Sequence, residues 1–107
     1  MARRKKKKSL FQVHQFYNRK YFGGKIKLSN LELVRMSHLT AGETTFYDDQ
    51  PPSIKINKAL ANWGRCVRIV LLHEMAHASL HPDVEHGSKF IKRICKLFRQ
   101  GAYDDLL

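Results

Sequence analysis

Two cysteines in 107 residues, Cys66 and Cys95, are too few for a disulfide framework. Both are expected as reduced core residues rather than metal ligands or a disulfide pair. With three prolines and six glycines, the chain has no internal repeat and no low-complexity stretch beyond a basic N-terminal run. No apolar run approaches the ~20 residues that a membrane span needs. The residues from Ser9 onward mix apolar with polar side chains and offer no signal-peptide core. An intracellular protein is therefore expected, cytoplasmic, nucleoid-associated or nuclear, with no membrane partner. Acidic residues are also scarce, 9 against 20 lysines and arginines.

That imbalance gives a net charge of +11. Six of the cations form one run, Arg3, Arg4 and Lys5 to Lys8; without them 14 basic residues still face 9 acidic ones, leaving +5. A basic tail on a basic body points to a polyanionic partner, nucleic acid before an acidic membrane surface. A solvated tail that aids solubility or acts as a localisation signal is the alternative. The length fits one domain with a single core, and 43% hydrophobic residues is ordinary for a globular chain. Residues 1–8 are expected as a disordered tail and 9–103 as the folded domain, acting as a monomer.

Along the chain, Ser9 is a plausible N-cap for a helix carrying Leu10, Val13, His14 and Tyr17 on one face, ended by Gly23-Gly24. His14 fits a partly buried face position better than a ligand. From Lys25 the period changes to alternation through Ile26, Leu28, Leu31 and Leu33, with Ser29-Asn30 as a kink, which predicts a first strand. Thr40-Ala41-Gly42 reads as a turn and Glu43–Tyr47 as a second strand. A loop follows at Asp48–Pro52. Ser53–Asn57 alternates as a third strand, with Asn57 able to cap a short turn through Leu60. Asn62 is positioned to cap a long helix from Trp63 to Leu80, which Pro82 ends. A last helix is expected from Ser88 to Arg99, stopped by Gly101, with a basic face opposite Phe90, Ile91, Ile94, Leu97 and Phe98.

The long helix carries His73-Glu74-Met75-Ala76-His77. Residues four apart on a helix lie about 40° apart around its axis and about 6 Å along it, so His73 and His77 can aim at one spot. Neutral imidazoles suit Zn²⁺. Glu74, about 100° further round, is turned off that spot and placed beside it, where a general base would stand. From this composition alone the pattern is expected by chance in roughly one chain in a hundred. Its setting among Leu71, Leu72, Met75, Ala76 and Leu80 would penalise buried, unpaired polar groups that a metal would satisfy.

A catalytic zinc generally has three protein ligands. His81 shares the helix track of the first two, which makes a tetrahedron hard to close; it fits better as a cation near the helix C-terminus. His86 comes from a loop that turns back, with Gly87 removing a Cβ where backbone approaches the site, Ser88 capping the next helix and Phe90 anchoring it. The geometry favours His86.

His73-Glu-Met-Ala-His77 followed by His86-Gly-Ser-Lys-Phe90 resembles the SprT-like/Spartan zinc metalloproteases, which pair HExxH with a downstream HGxxF-type segment. Thr40-Ala41-Gly42, Ser53–Asn57 and Leu71-Leu72 are also similar, so the likeness spans about residues 10–100. It implies His73, His77 and His86 as zinc ligands and Glu74 as the catalytic acid/base. It also implies an α+β, zincin-like fold: a small three-stranded sheet packed on the HExxH helix, with N- and C-terminal helices. In Spartan-type members the activity is DNA-promoted proteolysis of DNA-bound or crosslinked proteins. Two departures stand out. The His77–His86 interval is shorter, which implies a smaller lid. No zinc-ribbon extension is expected after the domain, so DNA contact would fall to the basic N-terminus and the last helix.

The expected function is thus a zinc endopeptidase acting on proteins on or near DNA, with substrate added along the Glu43–Tyr47 strand. Tyr47, His38 and Arg68 are unranked candidates for oxyanion stabilisation. Two rivals share the residues: a basic nucleic-acid-binding module with a structural or idle zinc, and a zinc hydrolase of a non-peptide substrate.

Overall fold

The computed structural model describes residues 9–80 and 86–106. The expected basic tail, His81 and Pro82 lie outside the described residues. The fold is α+β: helix α1 (Leu10–Tyr21), strands β1 (Asn30–Val34), β2 (Gly42–Thr45) and β3 (Ser53–Asn57), a 3-10 turn (Lys58–Leu60), then helices α2 (Gly64–Ser79) and α3 (Ser88–Arg99). Among the described residues no helix is long and apolar enough to cross a membrane.

α1 starts where the sequence places it. Ser9 Oγ accepts from Gln12 N, and Gln12 Oε1 accepts from Ser9 N, a reciprocal cap that satisfies two helix-end donors. Gly23 and Gly24 both take positive φ at its end, the left-handed region that glycine enters without a Cβ clash. The Asn18 amide then clips the following loop, donating to Ile26 O (2.8 Å) and accepting from Ile26 N (3.0 Å). This side chain takes the ladder role that the alternation from Lys25 suggested, and the first strand begins only at Asn30.

β3 runs through the middle of the sheet, parallel to β1 and antiparallel to β2. Its alternation buries Ile54 and Ile56 completely on the face that meets the helices. α2 packs Leu71, Leu72, Met75 and Ala76 into the same core, and α3 adds Phe90 and Leu97. Register then dictates which β2 side chains reach α2. Thr44 pairs with Ile54 and Gly42 with Ile56, so both share the core-facing side.

Several local expectations are corrected. β2 begins at Gly42, read above as a turn residue, and stops at Thr45. α2 begins after Trp63, with no side-chain cap from Asn62. Gly87, not Ser88, is the N-cap residue of α3, and a Cβ on Gly87 would meet nothing within 4 Å, so no close approach explains that glycine. Cys66 and Cys95 are free but exposed, not core. His14 is buried at 4% exposure, and burial holds its imidazole below the usual value.

Asn57 is the polar hinge of the sheet. Its Nδ2 donates to Ser37 O (3.0 Å) and Thr40 O (2.8 Å), while its Oδ1 accepts from Ala59 N (3.0 Å). The loop leading into β2 is therefore fixed by one buried amide. Asn57→Ala should cost about 1–3 kcal/mol by chemical denaturation, because it removes the side-chain donor from Ser37 O and Thr40 O, of which only Ser37 O keeps another, the Thr40 N–H. Asn57→Asp should cost at least as much at neutral pH, since a carboxylate cannot donate to them. Wild-type stability in either variant would show that the amide is dispensable.

Candidate metal centre

α2 brings His73 and His77 to one side, and the segment entering α3 brings His86 to meet them. His86 Nε2 lies 3.2 Å from His73 Nε2 and 3.0 Å from His77 Nε2. The potential ligand atoms of the three residues all lie within 4.8 Å of one another. A metal bound to imidazoles at about 2.0–2.1 Å sets tetrahedral nitrogen–nitrogen edges of about 3.3 Å, so both short separations suit one shared ion. Protons alone explain them poorly. Each neutral imidazole has a single N–H, and a proton on His86 Nε2 would have to serve two acceptors at once. The donor set fits a borderline-soft divalent metal.

Phe90 holds this triad from below. It is 4% exposed, and its ring centroid lies 4.8, 4.3 and 4.9 Å from those of His73, His77 and His86. The phenyl ring fixes imidazole orientation by packing and keeps water from one side. Burial, and then the neighbouring His86, hold His73 below the usual imidazole value. That favours the neutral, ligating form at physiological pH.

Glu74 is held beside the triad. Its side chain is nearly buried, and Oε1 accepts from the Thr44 hydroxyl at 2.8 Å. Thr44 Oγ1 also lies 3.2 Å from Glu74 O, so one hydroxyl is set between the backbone and carboxylate oxygens of the same residue. Oε2 lies 4.0 Å from His73 Nε2. Burial raises the Glu74 carboxyl above its usual range, the Thr44 donor opposes this, and Glu43 adds to the rise. A carboxyl shifted upward towards neutrality is suited to taking and returning a proton.

Thr44 and Gly42 carry a signal that the sequence reading missed. A Cβ at Gly42 would come 2.7 Å from Val70 Cγ1, 3.1 Å from Lys55 O and 3.4 Å from Glu74 Cγ. Glycine lets the edge strand approach α2 closely enough for Thr44 to reach Glu74. The clue lay in strand alternation, which puts residues 42 and 44 on one face, but that face is known only once β2 has a partner.

The resulting cavity, about 230 Å³, is lined by Gly42, Glu43, Thr44, Phe46, His73, Glu74, His77 and His86. Tyr47, His38 and Arg68 do not line it; the Tyr47 hydroxyl is paired with Ser53 Oγ at 3.0 Å. With these positions fixed, the SprT-like family model matches residues 10–101, nearly the whole described domain. No curated protein matches the chain.

His86→Ala should lower affinity for zinc by more than about 100-fold in competition with a chromogenic chelator, because losing a direct ligand exceeds the usual effect of an outer-shell change. Gly42→Ala should lower thermal stability by about 1–3 kcal/mol through forced overpacking between β2 and α2. Unchanged zinc affinity in the first variant would dissolve the three-ligand arrangement.

Proposed function

The chain belongs to the SprT-like family, and we propose that it is a zinc-dependent endopeptidase that cleaves proteins on or near DNA. The family is associated with metalloprotease-like proteins, and the observation that carries the reading for this chain is the geometry of one corner. Three imidazole nitrogens converge there, and a carboxylate stands beside them in the grip of Thr44. His73, His77 and His86 are the residues that would hold the ion. Three protein ligands leave a fourth position open, as catalysis requires and a structural site does not.

Zn²⁺, when bound, would supply Lewis-acid polarisation of the scissile carbonyl and lower the pKa of water. Glu74 supplies the proton traffic. Oε1 is committed to Thr44, so Oε2 is the atom assigned to take the proton of the attacking water and return it to the leaving amine. Thr44 acts as a positioning residue: it sets the carboxylate's rotamer and stabilises its ionised form. Substrate placement is assigned to β2. It is an edge strand in the order β1-β3-β2, and an extended peptide added to its outer edge would pass the cavity that Gly42, Glu43 and Thr44 help to line. The excess of 20 basic over 9 acidic residues supports a substrate located on nucleic acid.

Glu74→Gln should retain zinc and lose cleavage of an unstructured protein such as casein by at least about 100-fold in kcat, the scale of general acid–base catalysis. Full activity in that variant removes Glu74 from the scheme. Thr44→Val should keep zinc and lower kcat. It should also move the acidic limb of the pH–rate profile to higher pH, because removing the donor lets the Glu74 pKa rise further. A limb that stays in place or moves to lower pH contradicts the assignment of Thr44.

A further inference from the structure

A separate cavity of about 580 Å³ is more than twice the size of the one at the metal centre and shares none of its lining residues. Its walls are the end of α1 with the following loop, Pro51-Pro52, the last turn of α2, and one side of α3. Four of its twelve lining residues are cations, Lys25, Lys27, Arg93 and Lys96, and none is acidic. Among the described residues none of these four forms an ion pair.

These cations are presented by fixed backbone. Lys25 and Lys27 flank Ile26, which is buried and bonded through both its N–H and its C=O to the Asn18 amide. Arg93 and Lys96 lie one turn apart on α3, and the Arg93 guanidinium sits 6.0 Å from the centre of the Phe22 ring. That contact holds Arg93 towards the cavity. A solvated helix face would explain Lys89, Lys92 and Arg99, but not two lysines from a different segment converging on the same space. The last turn of α2 also lines the cavity through Ala78 and Ser79, and a helix C-terminus carries only about half an elementary negative charge. Neutralising it leaves more than three positive charges uncompensated.

We propose that this cleft binds the phosphodiester backbone of a nucleic-acid strand, through ionic contacts of Lys25, Lys27, Arg93 and Lys96. It gives a location to the DNA-proximal part of the function proposed above, on which it rests. A pocket for one phosphate group would gather backbone N–H groups and hydroxyls around a point. Here the Ser79 hydroxyl is spent on Ala76 O at 2.7 Å, Tyr21 and Phe22 are buried, and the cations are spread around an open groove. Such an arrangement tracks successive phosphates and reads no sequence. The metal centre comes immediately before the cleft along α2, where His77 precedes the cleft residues Ala78 and Ser79. A strand held in the cleft would therefore bring attached protein close to the site.

The test uses the full chain and binding alone, so its outcome is independent of proteolysis. A fluorescein-labelled single strand and the matching duplex are titrated at salt concentrations from about 50 to 200 mM. One variant carries Lys25→Gln, Lys27→Gln, Arg93→Gln and Lys96→Gln. A control of equal charge carries Arg19→Gln, Arg35→Gln, Lys58→Gln and Arg65→Gln, all exposed and outside the cleft. The N-terminal basic run is present in both and cancels. The cleft variant should show a log–log salt slope shallower by about 3 on single strands and about 4 on duplex, from about 0.7 and 0.9 per lost phosphate contact. Across that salt range its affinity should fall about 50- to 150-fold less than wild type. The control should change the slope by less than about 1. Melting curves guard against unfolding, and a triple variant that retains Arg93 repeats the test if the Phe22 contact proves structural. Equal loss in both variants, or an unchanged slope in the cleft variant, overturns the proposal. So does loss of poly-glutamate binding with oligonucleotide binding intact, which would make the ligand an acidic polypeptide.

Discussion

Two imidazole nitrogens, of His73 and His77, lie 3.2 and 3.0 Å from a third, His86 Nε2, and neutral rings satisfy that arrangement poorly because one N–H cannot serve two acceptors. A shared cation would satisfy all three nitrogens at once. The rest of the domain serves this requirement. A helix provides two nitrogens at a fixed spacing of four residues, and a second helix, anchored by Phe90 in the core, returns the third. Because Phe90 touches all three rings, the hydrophobic core and the metal centre are one packing problem. Binding free energy gained at the centre would stabilise the association of α2 with α3.

The second requirement is that Glu74 stay near the centre without joining it. Helix geometry rotates it away from the two histidines, and the sheet then fixes it in place. The path runs from Asn57, which pins the loop before β2, through Gly42, whose missing side chain allows β2 to lie close to α2, to Thr44, which holds one carboxylate oxygen. An edge strand thereby has two distinct sides. Its inner face aligns the carboxylate, and its outer edge pairs with no other strand among the described residues.

Much of this was legible in the sequence because it depends on local periodicity. The four-residue spacing of His73 and His77, the alternation of Ser53–Asn57 and the Ser9 N-cap are all properties of neighbouring residues, and the structure has each of them. His86, chosen on the argument that a returning segment approaches off the helix axis, lies beside His73 and His77. What depended on partners was misread or missed. Gly42 passed for a turn residue because its role is defined by Val70 and Lys55, far along the chain. Thr44 was simply a β-former until the register with Ile54 turned it towards α2. Cys66 and Cys95 occupy apolar-looking positions but are exposed. The strand expected from Ile26 starts later because the Asn18 side chain, rather than another strand, satisfies the backbone at Ile26. Neither the convergence of Lys25 and Lys27 with Arg93 and Lys96 nor the cleft they form could be seen before the loop after α1 was placed against α3.

The central claim is that His73, His77 and His86 share one ion while Glu74 remains uncoordinated. X-ray absorption at the zinc edge of the loaded, full-length chain tests it most directly. A shared ion at these three histidines should give one zinc per chain with three imidazole nitrogens at about 2.0–2.1 Å and a single further light atom from solvent. A shell with two imidazoles, a sulfur ligand, or a fourth imidazole closing the coordination sphere would contradict it.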